Sequence, residues 1–435
     1  MSIAVVTFGQ ATEALVGGLE RLHGPVTVVR RCSELAELMA ACQSGLAQAA
    51  VVSEGSGDLT ASLVARMDIV GVSIVALTDD PAEAARLQSF GVTPAAVGIG
   101  PSELAGKISE AVEMHRERGW QGSVMDAGFA ELSVHPSGPA EPAVPEDGSE
   151  PGRVIAVWGP VGAPGRTTVA INIAAELSAA GDTVILIDAD SYGASAAAML
   201  GLLDESAGLA QACRFADQGI LDGAAFDRAA THVHTSAGSF RILSGITRSD
   251  RWTELRAPAL SVVLERARHA ASVVVVDVGF CLEADEELSF DTMAPRRNGA
   301  TLRCLELADE VIAVGAADAV GVPRLVRGLA DLEMAAPHLS PRIVLNKVRQ
   351  ASVGRSPRRQ LAEAWQRFGP LRGIEAYLPA DFPACDAALL SGTVLLESAP
   401  GSSLRLAIAG LVCAPNQQNR KSAGRSTRAI HLLKR

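Results

Sequence analysis

The chain of 435 residues carries a formal net charge of -11 at pH 7, and 48% of its residues are hydrophobic while 20% are charged. This length and composition allow two hydrophobic cores, so we expect two globular domains. The net negative charge disfavours a protein that is basic over its whole surface and binds nucleic acid there, although it does not exclude a local basic patch.

Three further features of the sequence predict a soluble protein of the cytoplasm. The long apolar runs, such as residues 184–187 and 273–276, have the length of a strand and fall far short of the roughly 18–20 residues in a membrane-spanning helix. Residues 1–6 contain no basic leader in front of an apolar stretch, so no secretory signal is indicated. The seven cysteines form no CxxC motif and no Cys/His ligand spacing, so we expect reduced thiols and no metal–thiolate site.

Residues 1–118 contain five apolar segments that alternate with helix-like stretches. Continuous apolar strands separated by amphipathic segments are typical of a parallel sheet with helices on both faces. The sequence therefore predicts an α/β domain whose strands lie at residues 3–7, 26–29, 49–52, 72–77 and 95–99.

This arrangement resembles a response-regulator receiver, which has a flavodoxin-like fold. A working receiver needs acidic residues after its first strand, a phosphorylatable Asp after its third and a Lys after its fifth. The corresponding segments read Phe-Gly-Gln at residues 8–10, Ser-Glu-Gly at residues 53–55 and Gly-Ile-Gly at residues 98–100. Because the Mg²⁺ carboxylates and the accepting Asp are missing, we interpret the domain as a pseudo-receiver that binds a protein partner rather than as a phosphorylation switch.

Two segments outside the domains have a different composition. Residues 119–152 are rich in Pro, Gly, Ser and Glu and cannot bury enough apolar surface to fold, so they predict a disordered linker. Ordered patterning continues over residues 153–413, and residues 414–435 form a basic tail without an acidic residue. The tail has two interpretations: a disordered segment with at most weak contact to DNA or a membrane, and a short amphipathic membrane-targeting helix at residues 426–435.

A glycine-rich loop opens the second domain. Residues 154–158 predict a strand, residues 159–168 a loop and residues 169–180 a helix. In this order, Gly162 and Gly165 let backbone amides turn toward phosphate oxygens, and the helix N-terminus adds the positive end of its dipole. Thr167 stands where such a loop places a hydroxyl that reaches Mg²⁺. The segment therefore predicts a P-loop.

Two apolar strands farther along the chain end in carboxylates. Residues 183–190 deliver Asp188 and Asp190, and residues 273–277 deliver Asp277. Open α/β sheets bind ligands at the carboxyl ends of their strands, where a Walker B carboxylate orients the Mg²⁺ shell. Each carboxylate by itself is also compatible with a helix cap. Together with the P-loop, they favour a functional site with Asp277 as the Walker B residue.

Two other strand ends supply polar groups. Residues 343–347 include Asn346, whose amide suits an adenine edge, and residues 378–381 supply a loop with Pro379 and Asp381. For Asn346 the alternative interpretation is an ordinary turn residue at the end of a strand.

The order of these motifs resembles the MinD/ParA family of P-loop ATPases over residues 153–413. The pairing with a degenerate receiver is similar to the TadZ/CpaE branch, whose members place Tad/Flp pilus machinery. The resemblance implies a nucleotide-dependent homodimer that binds ATP, with Mg²⁺ at Thr167 and Asp277 and the attacking water near Asp188 and Asp190. It assigns the nucleotide contacts to Gly162, Gly165, Arg166, Thr167, Thr168, Asn346, Pro379 and Asp381.

The departures from the family pattern concern lysine. Val161 stands where the family has a signature Lys that reaches the phosphates of the partner subunit, and Arg166 replaces the general P-loop Lys. Arginine keeps the charge but carries it on a planar and bulkier head. No lysine lies between residues 108 and 346, so we expect none near the loop. Because phosphoryl transfer depends on positioning and charge stabilisation, we expect at most a weak ATPase.

An acidic segment at residues 283–291 is followed by Arg296 and Arg297. It has two interpretations: a source of the missing positive charge, and a solvated switch loop.

Three functions agree with these features. The first is a nucleotide-gated positioning or assembly factor for a Tad/Flp-type pilus system or a cell-division (septum) site, located in the cytoplasm or peripherally at the membrane or cell pole. The second is a scaffold that binds ATP without hydrolysis. The third is a chromosome or plasmid partitioning ATPase, for which a basic surface stripe and salt-dependent DNA retention are expected. The pseudo-receiver favours the first two.

Overall fold

The computed structural model describes residues 2–9, 12–22, 24–53, 56–122, 151–202, 207–283 and 296–412. Several of the predictions fall on other parts of the chain. Outside the described residues lie residues 10, 54 and 55 of the degenerate receiver motifs, most of the linker, residues 284–295 with most of the acidic segment, and the basic tail.

The first unit contains a five-stranded sheet with the strand order β2-β1-β3-β4-β5 and parallel pairing throughout. This is the order of flavodoxin-like folds. Buried aliphatic side chains form one core on each face of the sheet, as expected for apolar strands covered on both sides. The strands are β1 (Ile3–Phe8), β2 (Val26–Cys32), β3 (Ala49–Val52), β4 (Ser73–Leu77) and β5 (Thr93–Ala95).

The predicted fifth strand at residues 95–99 is wrong. The strand ends at Ala95, and the Ile99 N–H bonds back to the Ala96 carbonyl in a turn. Pro94 lies inside β5, which is acceptable because β5 is an edge strand. The helices of this unit are α1 (Thr12–Arg21), α2 (Leu35–Gln43), α3 (Ala61–Ile69), α4 (Pro81–Ser89) and α5 (Pro101–Gly122), with a short 3-10 helix at Ser56–Asp58.

The second unit contains an eight-stranded sheet with the order β13-β12-β11-β6-β10-β7-β9-β8. All neighbours are parallel except the edge pair β8 and β9, an antiparallel hairpin that the sequence pattern did not indicate. The predicted fold class, α/β with mostly parallel sheets, is confirmed. The strands are β6 (Arg153–Trp158), β7 (Val184–Ala189), β8 (Thr231–Thr235), β9 (Gly238–Leu243), β10 (Val273–Val278), β11 (Glu310–Ala316), β12 (Arg342–Val348) and β13 (Ile374–Pro379).

Helices cover both faces of this larger sheet, and a buried apolar core lies on each face. A 3-10 helix spans Ser249–Glu254. The helices are α6 (Arg166–Ala179), α7 (Ala196–Met199), α8 (Gly208–Asp217), α9 (Gly223–Ala229), α10 (Ala257–Ala270), α11 (Gly299–Glu306), α12 (Gly321–Ala335), α13 (Gln350–Val353), α14 (Pro357–Phe368), α15 (Phe382–Ser391), α16 (Leu395–Ser398) and α17 (Ser403–Val412).

The strand order determines where a ligand can bind. After β6 the chain builds β7 to β10 on one side of that strand and β11 to β13 on the other. The carboxyl end of β6 is therefore the point at which the strand order changes direction, and open α/β sheets place their ligands at such a point. The loop that follows β6 is the glycine-rich loop.

Polar contacts join the two units. Asp217 Oδ1 accepts a hydrogen bond from the Ser62 N–H at 2.8 Å. Arg86 Nη1 donates to the carbonyls of Leu59, in its own unit, and Gln218, in the other unit, at 2.9 and 3.1 Å. The α3–α4 side of the first unit thus contacts the end of α8.

Among the helices within the described ranges, none combines the length and the apolar character that crossing a membrane requires.

Candidate functional site

The loop between β6 and α6 has a backbone that requires glycine at two positions. Gly162 has a φ of 114° and Gly165 a φ of 96°, both in the left-handed region that side chains rarely adopt. A Cβ on Gly165 would lie 2.5 Å from Asn346 Nδ2, so the space beside this residue is already filled. Gly165 is also the N-cap of the 14-residue helix α6 and has no side chain to cap it. The amides of the first helical turn therefore keep their capacity to bind an anion.

Side chains from outside the loop fix several of its carbonyl groups. Asn346 Nδ2 donates to the Pro164 carbonyl at 2.9 Å, and Lys347 Nζ donates to the Ala163 carbonyl at 2.7 Å. Arg166 Nη1 donates to the Gly159 carbonyl at 3.1 Å. These three contacts restrain the loop from both of its ends and engage the carbonyls of Gly159, Ala163 and Pro164.

Lys347 corrects the expectation that no lysine lies near the loop. It follows Asn346 on β12, and β12 is a neighbour of β11, which in turn pairs with β6. Its φ of 60° is unusual for a residue other than glycine. The turn in the backbone accompanies a side chain that reaches the loop, and this conformation is not visible in the sequence.

Asp188, at the end of β7, is 1% exposed. Its Oδ2 accepts hydrogen bonds from the N–H groups of Ser195 and Ala196 at 3.0 and 2.9 Å, and its Oδ1 accepts from the Asp190 N–H at 3.3 Å. Burial raises the pKa of Asp188 to about 6, against the lowering effect of these backbone donors. The carboxylate orders the segment that leads into α7.

Asp190, directly after β7, forms an ion pair with Arg166, the first residue of α6. Its Oδ2 lies 3.0 Å from Arg166 Nη2, and both side chains are largely buried. Its Oδ1 accepts from the N–H groups of Tyr192 and Gly193. The guanidinium that replaces the P-loop lysine is therefore paired with a carboxylate in this structure, and it also lies over the Phe280 ring at 6.0 Å.

Asp277, on β10 between β6 and β7, is 1% exposed. Neither of its carboxylate oxygens makes a hydrogen bond of normal geometry with a described residue. Burial and the neighbouring Asp188 carboxylate raise its pKa well above the ordinary value of 3.8, although Thr167 and Arg166 lower it in part. A buried carboxylate without a partner costs free energy unless a proton or a cation compensates it.

These residues fit a magnesium ion that binds together with phosphate. Thr167 lies in the first turn of α6, close enough to Asp277 to affect its pKa. Mg²⁺ usually keeps several water molecules and takes only one or two carboxylates besides phosphate oxygens. In keeping with this, no group of three or more His, Cys, Asp or Glu side chains in the described ranges is arranged as a complete metal site.

Asn346, the predicted adenine residue, contacts the glycine loop in this structure. Asn346 is 4% exposed, and both ends of its amide are occupied, by the Pro164 carbonyl and by the Lys347 N–H at 2.8 Å. Asn346 therefore supports the loop in this structure, with one N–H of its amide still available, and its adenine contact stays a prediction. Pro379 is the last residue of β13 rather than part of a loop.

The other predicted positions also have defined contacts. Asp381 caps α15 by accepting from the Ala384 N–H at 3.3 Å, and it accepts from the Ser402 hydroxyl at 2.7 Å. Thr168 lies in the first turn of α6, where its carbonyl accepts from Asn172 Nδ2 at 2.8 Å. The structure brings Arg166 to Asp190 and Thr167 to Asp277, while Gly162 and Gly165 lie in the loop that leads into α6.

Arg297 covers the carboxylate side of the site. Its guanidinium lies 4.0 Å from the centroid of the Tyr192 ring, and its Nη2 donates to the Ser191 carbonyl at 3.3 Å. It therefore packs on the residues that follow Asp190, and its contacts are with this segment rather than with the loop.

Comparison with known proteins gives a partial match. Residues 151–216 match the family model described as "ParA: NUBPL iron-transfer P-loop NTPase". This segment contains β6, the loop, α6 and β7, so the predicted resemblance to ParA proteins is confirmed there. The finer placement in the TadZ/CpaE branch stays a prediction. The search of curated proteins found no match to this chain.

Several solved structures are similar to part of this chain. A ParA family ATPase from Chlorobium tepidum TLS has 19% identity and a TM-score of 0.49, with 60% of this chain and 98% of that chain covered. The cell division ATPase MinD from Pyrococcus furiosus has 20% identity and a TM-score of 0.46, with 60% and 97% covered. The septum site-determining protein MinD from Pyrococcus horikoshii OT3, complexed with Mg-ADP, has 18% identity and a TM-score of 0.44, with 60% and 94% covered.

The buried carboxylates predict a specific pH dependence of stability. The folded pKa values of Asp188 and Asp277 lie above the ordinary value of 3.8, so the folded state binds protons more strongly than the unfolded state. Their contribution to stability is therefore full at low pH and is lost as the pH rises from about 4 through 6 and beyond. We expect Asp277→Asn to increase the free energy of unfolding at pH 8 without Mg²⁺ by roughly 1–3 kcal/mol, because it removes a buried unpaired charge.

Thermal unfolding at pH 5 and pH 8 measures this effect, and the gain is expected to be larger at pH 8. Asp331→Asn is the matched control, since Asp331 is an exposed carboxylate on α12. An Asp277→Asn variant that is less stable than the wild type at both pH values would show that Asp277 has a stabilising partner.

Proposed function

We propose that this chain is an ATP- and Mg²⁺-binding protein of the MinD/ParA type that acts as a nucleotide-gated positioning or assembly factor. The observation that carries the proposal is the buried and unpartnered Asp277 beside the glycine loop and the first turn of α6. A carboxylate in this environment is stabilised when a cation lies next to it. The combination with an anion-binding helix N-terminus suits a metal ion that binds together with a polyphosphate.

Each residue of the site has a role in this proposal. The loop amides and Arg166 bind phosphate oxygens, Thr167 coordinates Mg²⁺, and Asp277 orients the water molecules of that ion. Mg-ATP, when bound, would supply the phosphoanhydride bond and the phosphate charge that the loop amides and Arg166 bind. Asp188 holds the segment before α7, and Asp190 holds Arg166 and the Tyr192 turn near the place for an attacking water.

The adenine end of the site is proposed to lie at Asn346, with Pro379 and Asp381 as further contacts to the nucleotide. Asn346 contributes to nucleotide binding by fixing the loop through the Pro164 carbonyl. Asp381 accepts hydrogen bonds from the Ser402 hydroxyl and from the Ala384 N–H, so its carboxylate is held in position at the start of α15 without a ligand.

For the first unit we propose a pseudo-receiver that binds a protein partner, while the second unit forms a nucleotide-dependent homodimer. The Tad/Flp-type pilus system and the cell-division site are the machines proposed for it, with the chain located in the cytoplasm or peripherally at the membrane or pole. The order of strands in the first unit supports a receiver-like fold. Ser53, at the end of β3, donates its hydroxyl to the Phe8 carbonyl at 3.1 Å and supplies no carboxylate.

A scaffold that binds nucleotide without turnover is the second candidate. It is favoured by the Arg166–Asp190 ion pair, since a cation engaged with a carboxylate stabilises a developing phosphate charge less well. Rates of hydrolysis separate the two candidates.

Mg-ATP binding is tested with a pair of glycine variants on the same helix. Gly165→Ala should weaken binding more than about tenfold, because the methyl group meets Asn346 and disturbs the loop backbone. Gly181→Ala is the control: Gly181 follows the other end of α6 with a φ of 99°, and nothing lies within 4 Å of its Cβ position. Equilibrium titration with a fluorescent ATP analogue measures both variants. Absence of saturable Mg²⁺-dependent binding by the wild type up to millimolar concentration would refute the proposal.

Two substitutions restore lysine at the positions where this chain has Val161 and Arg166, and each has an expected effect on ATP hydrolysis. We expect the wild type to hydrolyse ATP slowly and Arg166→Lys to increase the rate by placing a compact charge between the phosphates. Val161→Lys should act only at protein concentrations that allow dimerisation, and the double variant should exceed the sum of the two effects. Steady-state ATPase assays over a protein concentration series measure this.

Met334→Lys is the control for the added charge, since Met334 is an exposed apolar residue at the far end of α12. A double variant that binds ATP but stays inert would favour the scaffold. A wild type with the turnover of an ordinary MinD/ParA ATPase would show that an arginine already replaces the lysines.

A further inference from the structure

The positive charges around the glycine loop differ in their availability. Arg166 is paired with Asp190 and with the Gly159 carbonyl. Lys347 Nζ is bound to the Ala163 carbonyl. Arg324, on α12, is exposed, and no hydrogen bond or ion pair within the described part of the chain involves its guanidinium. It is therefore a cation at the loop with its donors still available.

Arg324 lies against the outer tip of the loop. A Cβ built on Gly162 would lie 2.5 Å from Arg324 Nη1, so the guanidinium occupies the space into which a side chain at this position would project. Gly162 also has a φ of 114°, so two features of this position require a glycine. Val161, the preceding residue, is 53% exposed and carries no charge, so the charge beside Gly162 comes from Arg324 on α12, while the nearby Lys347 Nζ is bound to the Ala163 carbonyl.

Packing fixes the helix that carries Arg324. The neighbouring Leu325 is fully buried, and its side chain fills the space beside Gly315 of β11. One turn later, a Cβ on Gly328 would lie 2.9 Å from the Trp158 ring and 3.5 Å from Pro160, so the helix lies close to the start of the loop. Asp318 accepts from the N–H groups of Val320 and Gly321 and makes no ion pair with Arg324. The backbone of Arg324 is thus held in place while its side-chain end is free to bind a ligand.

We propose that Arg324 binds the terminal phosphate of the nucleotide in the same chain and so supplies, from α12, the charge that Val161 does not. This inference rests on the proposed function, since it requires the nucleotide to bind at residues 159–168. A guanidinium suits this position because its planar donors pair with phosphate oxygens in a bidentate manner. Its location at the outer tip, beyond the Arg166–Asp190 pair, predicts that it distinguishes a triphosphate from a diphosphate.

The test compares the affinities of the full chain for Mg-ADP and for a non-hydrolysable Mg-ATP analogue by equilibrium titration. Arg324→Ala should weaken binding of the ATP analogue by about tenfold, the size of one charge-assisted hydrogen-bond pair, and change ADP binding by less than about twofold. Arg324→Lys should recover part of the loss, since it restores the charge without the fork. Arg327→Ala is the control: Arg327 is exposed on the same helix, and its Nε donates to the Pro323 carbonyl.

The outcomes separate this inference from the proposed function. Equal affinities of the wild type and Arg324→Ala for the ATP analogue would overturn the inference alone, as would an equal loss for ATP analogue and ADP. A wild type that binds neither nucleotide would overturn the proposed function and the inference with it.

Discussion

The ion pair between Arg166 and Asp190 determines the charge of the whole site. Three carboxylates, Asp188, Asp190 and Asp277, lie buried at the ends of two adjacent strands, and this pair neutralises one of them. Asp188 is satisfied by backbone N–H groups, while Asp277 makes no hydrogen bond of normal geometry with a described residue and has the Thr167 hydroxyl nearby. The result is a buried region of excess negative charge beside an anion-binding helix end, which is the arrangement that a metal–phosphate ligand can stabilise.

The contacts that surround the glycine loop depend on β11 and β12, which lie on the side of β6 opposite to β10 and β7. Asn346 and Lys347 come from β12, and Arg324 comes from the helix after β11, so each contact requires that these strands lie beside β6 in register. The loop is therefore shaped by residues far away in the sequence. This arrangement separates two tasks: Asn346 and Lys347 hold carbonyl groups, whereas Arg324 keeps its donors available.

The sequence predicted the parts of the site that depend on local pattern. Glycine spacing before a helix indicated the loop, and apolar strands ending in Asp indicated Asp188, Asp190 and Asp277, because burial on both faces leaves only a strand end for a carboxylate. Contacts that depend on tertiary packing were not predictable. The left-handed backbone of Lys347 and the guanidinium of Arg324 carry no local signal, and the contact of Asn346 with the Pro164 carbonyl arises only when β12 lies near the loop.

The central claim is that Asp277 and the loop form one site for Mg²⁺ and a polyphosphate. A crystal structure of the chain grown with Mg²⁺ and a saturating non-hydrolysable ATP analogue tests it most directly. The account predicts the triphosphate within residues 159–168, Mg²⁺ bound to the Thr167 hydroxyl, and Asp277 hydrogen-bonded to water on that ion. An empty loop under these conditions, or a nucleotide bound elsewhere while Asp277 stays unpartnered, would contradict the account.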